Sequence, residues 1–196
     1  MPITAEEVKK LRDITGASMM DCKRALEETE GNAAKAVELL RKKSLIKAEK
    51  KSERETKQGL VEAYIHSNQR VGAMAEILCE TDFVARNEMF RQLAHDLTMH
   101  IAAMNPLYLD EHSIPAEIAE SERRIFREQV DGNLHKPARV IDEIIEGKLK
   151  KHLQEICLMS QPFIKNPDIT VEELIKEHIA KLGENIKIGR FARFEL

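Results

Sequence analysis

The chain has no tryptophan and only two tyrosines and six phenylalanines among its 196 residues. Each large ring is therefore conspicuous, and one placed in a connection between elements needs a reason. Cysteine is scarce as well. Cys22, Cys79 and Cys157 are odd in number and far apart, which argues against a disulfide scaffold and reads as free thiols in a reducing compartment. No apolar run approaches the roughly 18–20 residues of a membrane span. The first residues carry neither the basic start nor the apolar core of a signal peptide, so a cytoplasmic protein is expected. A formal net charge of -3 leaves no global electrostatic reason to bind nucleic acid or a membrane surface.

The motifs of covalent chemistry are missing too. There is no phosphate-cradling G-x-x-x-x-G-K-[ST] loop, no G-x-G-x-x-G, no G-x-S-x-G and no C-x-x-C. His95 and His100 lie five apart on one helical segment and point to different faces, so they make poor joint metal ligands. His66, His112, His135, His152 and His178 are scattered. The expectation is a chain without catalytic residues, metal or cofactor.

What is present is apolar periodicity and charge, at 42% hydrophobic and 33% charged residues. That balance belongs to a helix-rich folded protein rather than a disordered one. Thr4 with Glu7 makes a capping box ahead of Val8, Leu11 and Ile14. Gly16 stops that helix, and Ser18 with Asp21 opens a second carrying Met19, Met20, Cys22 and Leu26. Gly31-Asn32 ends the second and caps a third through Ala33, Ala36, Val37 and Leu40. These three short helices, residues 1–50, are expected to form a ubiquitin-associated-like bundle. The stretch from Arg41 to Lys57 is crowded with lysine and arginine but has no interleaved aromatic for base stacking. It reads as a solvated helical connection, with residues 51–58 as a basic helical linker.

From Gly59 the period changes to two. Leu60–His66 and Val71–Cys79 flank a hairpin loop, with Val61, Ala63 and Ile65 sharing one face and Val71, Ala73, Ala75 and Ile77 another. A third strand is expected at Ile186–Leu196, with Ile186, Ile188, Ala192, Phe194 and Leu196 on one phase. Gly189 is a candidate bulge there, because Phe191 is out of phase. Between the strands lie helical stripes. Phe90, Leu93, Ala94, Leu97, Ile101 and Met104 form one, and a charged helix starts at Pro115 and breaks at Asp131-Gly132-Asn133. Pro137 opens a segment to Glu146, which Gly147 separates from Leu149–Met159. Pro162 and Pro167 bracket an irregular connection, and Thr170 with Glu173 opens a last helix before Gly183. The fold class is α+β: the helical bundle, then an antiparallel three-stranded sheet packed with helices over residues 59–196.

One ring stands out. Phe83 lies in Thr81-Asp82-Phe83-Val84-Ala85-Arg86-Asn87, between the second strand and the helix that follows it. Thr81, Asp82 and Asn87 suit a cap and turn. Phe83 either folds back as a hydrophobic staple or is presented outward as a partner anchor. The residues alone leave both open.

Two motifs favour the anchor. Leu11-Arg12-Asp13-Ile14-Thr15-Gly16-Ala17-Ser18-Met19-Met20-Asp21-Cys22-Lys23-Arg24-Ala25-Leu26 resembles the N-terminal signature of bacterial elongation factor Ts. Cys79-Glu80-Thr81-Asp82-Phe83-Val84-Ala85-Arg86-Asn87 is similar to its second signature, in the same order. Ile188–Leu196 is similar to the family's C-terminal strand, so the resemblance spans the chain. It implies a guanine-nucleotide exchange factor for the GTPase elongation factor Tu, without covalent chemistry. It further implies that Asp82 and Phe83 intrude into the GTPase nucleotide domain, with Thr81 and Val84 shaping the wedge that displaces Mg²⁺. Arg12, Met19 and Met20 would touch the same domain, and the C-terminal strands and helices another domain. Longer members carry two α/β half-cores and an inserted coiled coil. A single hairpin core resembles the short form, which implies a homodimer. Ala192 stands where short members sometimes carry cysteine, so no disulfide-linked dimer is expected. The competing reading is a non-catalytic protein-binding module, which leaves residues 81–87 unexplained.

Overall fold

Capping explains the first elements of the computed structural model, which describes residues 3–131 and 138–196. Helix α1 (Ala5–Thr15) starts at Thr4, whose Oγ1 accepts the Glu7 N–H at 3.3 Å while Glu7 Oε2 accepts the Thr4 N–H at 2.8 Å. Two otherwise orphaned donors are satisfied at once. Gly16 ends the helix at φ 65°, a left-handed conformation open to glycine at little cost. Helix α2 (Met19–Glu28) is capped by Ser18 and α3 (Ala33–Glu49) by Asn32, each side chain accepting a backbone N–H three residues on. Val8, Leu11, Cys22, Ala25, Leu26, Ala36 and Leu40 form their common core. Ile14, expected on the apolar stripe, is 71% exposed instead, in the last turn of α1.

The linker departs from expectation. After α3 the chain turns rather than continuing as a helix: Ser52 Oγ donates to Glu49 O at 2.8 Å, and Lys51 and Ser52 donate their amides to Ala48 and Glu49. Strand begins at Gln58. Lysine and arginine are good helix formers, but this segment is held from outside itself, as described below.

Strands β1 (Gln58–Ile65), β2 (Val71–Cys79) and β5 (Ile186–Glu195) make a three-stranded antiparallel sheet in the order β1-β2-β5. Ala73, Ala75, Ile77 and Cys79 are buried. On β1 the alternation runs the other way, since Val61, Ala63 and Ile65 share a face that is exposed. In β5 the inward phase changes at Gly189: Ile186 and Ile188 are buried, whereas Ala192, Phe194 and Leu196 are exposed and Phe191 and Arg193 half-buried. The local cause is visible. A Cβ on Gly189 would lie 2.8 Å from Glu76 Oε2, and that carboxylate accepts Arg190 Nε at 3.1 Å through both oxygens.

Helices α4 (Asp82–Ala85) and α5 (Glu88–Met104) follow β2, then α6 (Ala116–Asp131), α7 (Ala138–Ile156) and α8 (Val171–Leu182). On α5, Phe90, Leu93, Ala94, Leu97 and Ile101 are buried as the stripe predicts, but Met104 in the last turn is exposed. Gly147 does not divide α7; a single glycine costs only about 1 kcal/mol in a helix interior, and the helix runs through it. The connection around the prolines is not irregular either. Strands β3 (Pro162–Phe163) and β4 (Asn166–Thr170) pair antiparallel as a second sheet, too short for alternation to reveal. The break expected at Gly132-Asn133, the helix start at Pro137 and His135 lie outside the described residues.

The chain divides into two compact units. One contains Met1–Tyr64, Met74–Thr98 and Glu173–Ala192, the other Ile65–Ala73, Met99–Glu172 and Arg193–Leu196. In the second, His100 is buried with its ring fully engaged. Nδ1 accepts the Ile164 N–H at 3.2 Å, and Nε2 lies 3.0 Å from Gln161 Oε1. Gln161 in turn donates to Glu155 O at 2.6 Å. The imidazole is thus held neutral, and burial lowers its pKa.

Candidate functional site

Residues Glu80–Asn87 lie wholly in the first unit. Thr81, in extended backbone at φ -127° and ψ 158°, caps a single helical turn, and its Oγ1 accepts the Val84 N–H at 3.4 Å. Ala85, Arg86 and Asn87 close the turn onto the carbonyls of Thr81, Asp82 and Val84 at 3.2, 3.1 and 2.9 Å. Asn87 Oδ1 then accepts the Met89 N–H at 2.8 Å and so begins α5. The polar residues therefore do what their composition promised. Asp82 also pairs with Arg86 one turn on, at 3.1 Å.

Phe83 does not fold back. Its ring is 81% exposed and α4 buries none of its residues, which removes the staple reading. A phenyl ring left in water forgoes about 1.5–3 kcal/mol of burial.

Sequence reasoning missed what holds this turn. Glu184, in the connection between α8 and β5, accepts three hydrogen bonds from it. Oε2 receives the N–H groups of Glu80 and Thr81 at 3.1 and 3.0 Å, and Oε1 receives the Thr81 hydroxyl at 2.6 Å. Glu80 answers through Oε1, which accepts the Asn185 N–H at 2.6 Å and lies 3.5 Å from an Arg54 guanidinium nitrogen. The Asn185 amide donates to the carbonyls of Ser52 and Arg54 at 3.1 and 2.8 Å, and Lys51 Nζ donates to Gly183 O at 2.6 Å. The basic segment after α3 is tied here. In the sequence Gly183 signals only the end of a helix, because nothing local names partners about a hundred residues away. Below the turn, burial and the nearby Glu184 charge push the Cys79 thiol up to about 11. It therefore stays protonated, and Sγ donates to Thr81 O at 3.1 Å.

The second predicted surface is at the α1–α2 junction. Arg12, Met19 and Met20 are all exposed. Arg12 and Met19 line a cavity of about 500 Å³ together with Ile14, and Lys181 of α8 closes another side; Met20 is not among its lining residues. A Cβ on Gly16 would come 3.1 Å from Lys181 Cε. Arg41, also at this cavity, pairs with Glu173 of α8 at 2.9 Å. Among the described residues no cluster of His, Cys, Asp and Glu is arranged to hold a metal ion, and no helix is long and apolar enough to cross a membrane.

These features define an α+β protein whose candidate site is a contact surface, with an aromatic side chain held out on a clamped turn. Comparison with known proteins gives the class a family. The family model for elongation factor TS matches residues 3–196. The chain is 52% identical over 196 residues to elongation factor Ts of Thermodesulfovibrio yellowstonii, covering 100% of this chain and 97% of that one. It is 54% identical over 194 residues to elongation factor Ts of Carboxydothermus hydrogenoformans, covering 99% of this chain and 89% of the relative. With elongation factor Ts of Oleidesulfovibrio alaskensis it shares 50% identity over 194 residues, 99% of this chain and 98% of the other. The chain belongs to the elongation factor Ts family, whose role is in translation elongation.

Proposed function

We propose that this chain is a cytoplasmic guanine-nucleotide exchange factor for elongation factor Tu, acting through contact alone and making or breaking no covalent bond. The observation that carries the reading is Phe83: a residue 81% exposed on a short polar-capped turn, inside the segment that resembles the family's second signature. In P-loop GTPases, Mg²⁺ bridges phosphate oxygens while a loop hydroxyl and an aspartate hold it, and backbone amides cradle the phosphates. Small displacements of that geometry cost nucleotide affinity. Burial of Phe83 against the GTPase supplies about 1.5–3 kcal/mol, roughly 10- to 150-fold in nucleotide affinity. Asp82 enters beside it, and Thr81 and Val84 set its approach. Arg12, Met19 and Met20 form the second contact, with the bundle of residues 1–50 as its scaffold and residues 59–196 as the core domain. Linkage makes the effect reciprocal: the factor weakens GDP as much as GDP weakens the factor. Excess GTP then sets the direction.

The working form is a homodimer. Ile65, Phe194 and Leu196, all in the second unit, expose apolar side chains at the ends of β1 and β5, and a second copy of the chain would cover them. Nothing in the composition recommends nucleic acid or membrane as a partner. The direct test follows a fluorescent GDP analogue leaving elongation factor Tu, with and without the chain. Release accelerated by added protein is expected; no acceleration at saturating protein would overturn the reading.

A further inference from the structure

A helix of four residues does not hold itself. Nucleation is its costliest step, and one turn leaves most of its backbone groups without helical partners. No residue of α4 is fully buried, and Val84 and Ala85 are only half-buried, so packing by itself aims Phe83 weakly. A ring free to point in many directions must be immobilised on binding, which subtracts from its contribution. The aim has to come from outside the turn.

The geometry points to Glu184 as the positioning residue of this site: its carboxylate fixes the direction in which Phe83 is presented, acting through Glu80 and Thr81. A carboxylate suits the task because it is acceptor-only at both oxygens, and here it meets three donors with Oε1 and Oε2. An amide in its place would offer one acceptor oxygen and turn an NH₂ towards a donor. The Thr81 hydroxyl carries the hold into the helix, donating to Glu184 while accepting from Val84 N–H. Glu80 returns the grip by accepting the Asn185 N–H, so the two chain segments clasp each other from both sides.

This inference rests on the exchange-factor reading, and two readouts separate their failures. Amide hydrogen exchange at Glu80 and Thr81 is measured on the full chain alone, and GDP release from elongation factor Tu is measured beside it. Glu184→Ala is expected to speed exchange at both amides by about tenfold or more and to cut the acceleration of GDP release by about tenfold. Glu184→Gln is expected to fall between Glu184→Ala and the native chain. Thr81→Val, which removes the hydroxyl that donates to Glu184, is expected to speed amide exchange at Glu80 and Thr81 as Glu184→Gln does. Unchanged amide exchange in Glu184→Ala overturns the inference, as does faster amide exchange with native GDP release. Should Glu184→Ala fail to fold, Glu184→Gln and Thr81→Val decide: amide exchange at the native rate in both overturns it. If the native chain itself does not accelerate GDP release, the exchange-factor reading falls, and the amide readout still decides whether Glu184 holds the turn.

Discussion

Phe83 and Phe194 are both turned to water, 81% and 70% exposed, yet they are supported in different ways. Phe194 sits on β5, a strand of the three-stranded sheet, and its direction follows from strand alternation once the phase is set at Gly189. Phe83 sits on one turn of helix, and that turn is held by a carboxylate far away in sequence. A strand presents a side chain as a by-product of its ladder. A short turn presents one only if other side chains hold it. Phe90, seven residues beyond Phe83, supplies the third case: a fully buried ring on α5.

The largest effect is expected where the ring is buried. Phe90→Ala should cost about 3–5 kcal/mol in chemical denaturation, as deletion of a buried aromatic side chain does. A loss near zero would mean that α5 is not part of the core. Phe83→Ala should reverse the pattern, cutting the acceleration of GDP release by about 10- to 150-fold while the melting temperature barely moves. If stability fell in step with exchange, Phe83 would be a core residue and its contrast with Phe90 would disappear. Phe194→Asp should weaken self-association by about 10- to 100-fold, seen as a drop in mass by light scattering at equal concentration. A chain already monomeric before substitution would end the dimer proposal and leave Phe194 as ordinary exposed surface.

The smallest effect concerns the second unit alone. Burial, the dominant influence, holds His100 below its ordinary pKa. As pH falls, the unfolded chain takes up this proton before the folded one does. The contribution of neutral His100 to stability is complete above about pH 6.5, the ordinary histidine value, and declines below it. Melting temperatures between pH 7 and 5 should fall less steeply for His100→Gln than for the native chain. A parallel fall in both would show that His100 does not titrate on unfolding.

The sequence by itself determined the helix caps and which residues share a face. Thr4, Ser18, Asn32 and Thr81 cap helices because each cap needs only the residues within three positions of it. Periodicity also told which residues share a face: Val61 with Ile65, and Phe90 with Leu93 and Leu97. The fold class followed from the change of period at Gly59. Tertiary structure decided which of those faces is covered, since alternation is the same whether a strand turns its apolar side inward or outward. It also decided the phase change at Gly189, where Glu76 lies across the backbone, and the pairing of β3 with β4. Above all it decided that Phe83 is exposed and that its turn is clamped. Composition placed the ring in a connection with equal claims to staple and anchor. The clamp joins Thr81 to Glu184 across 103 residues, and only folding brings those two together.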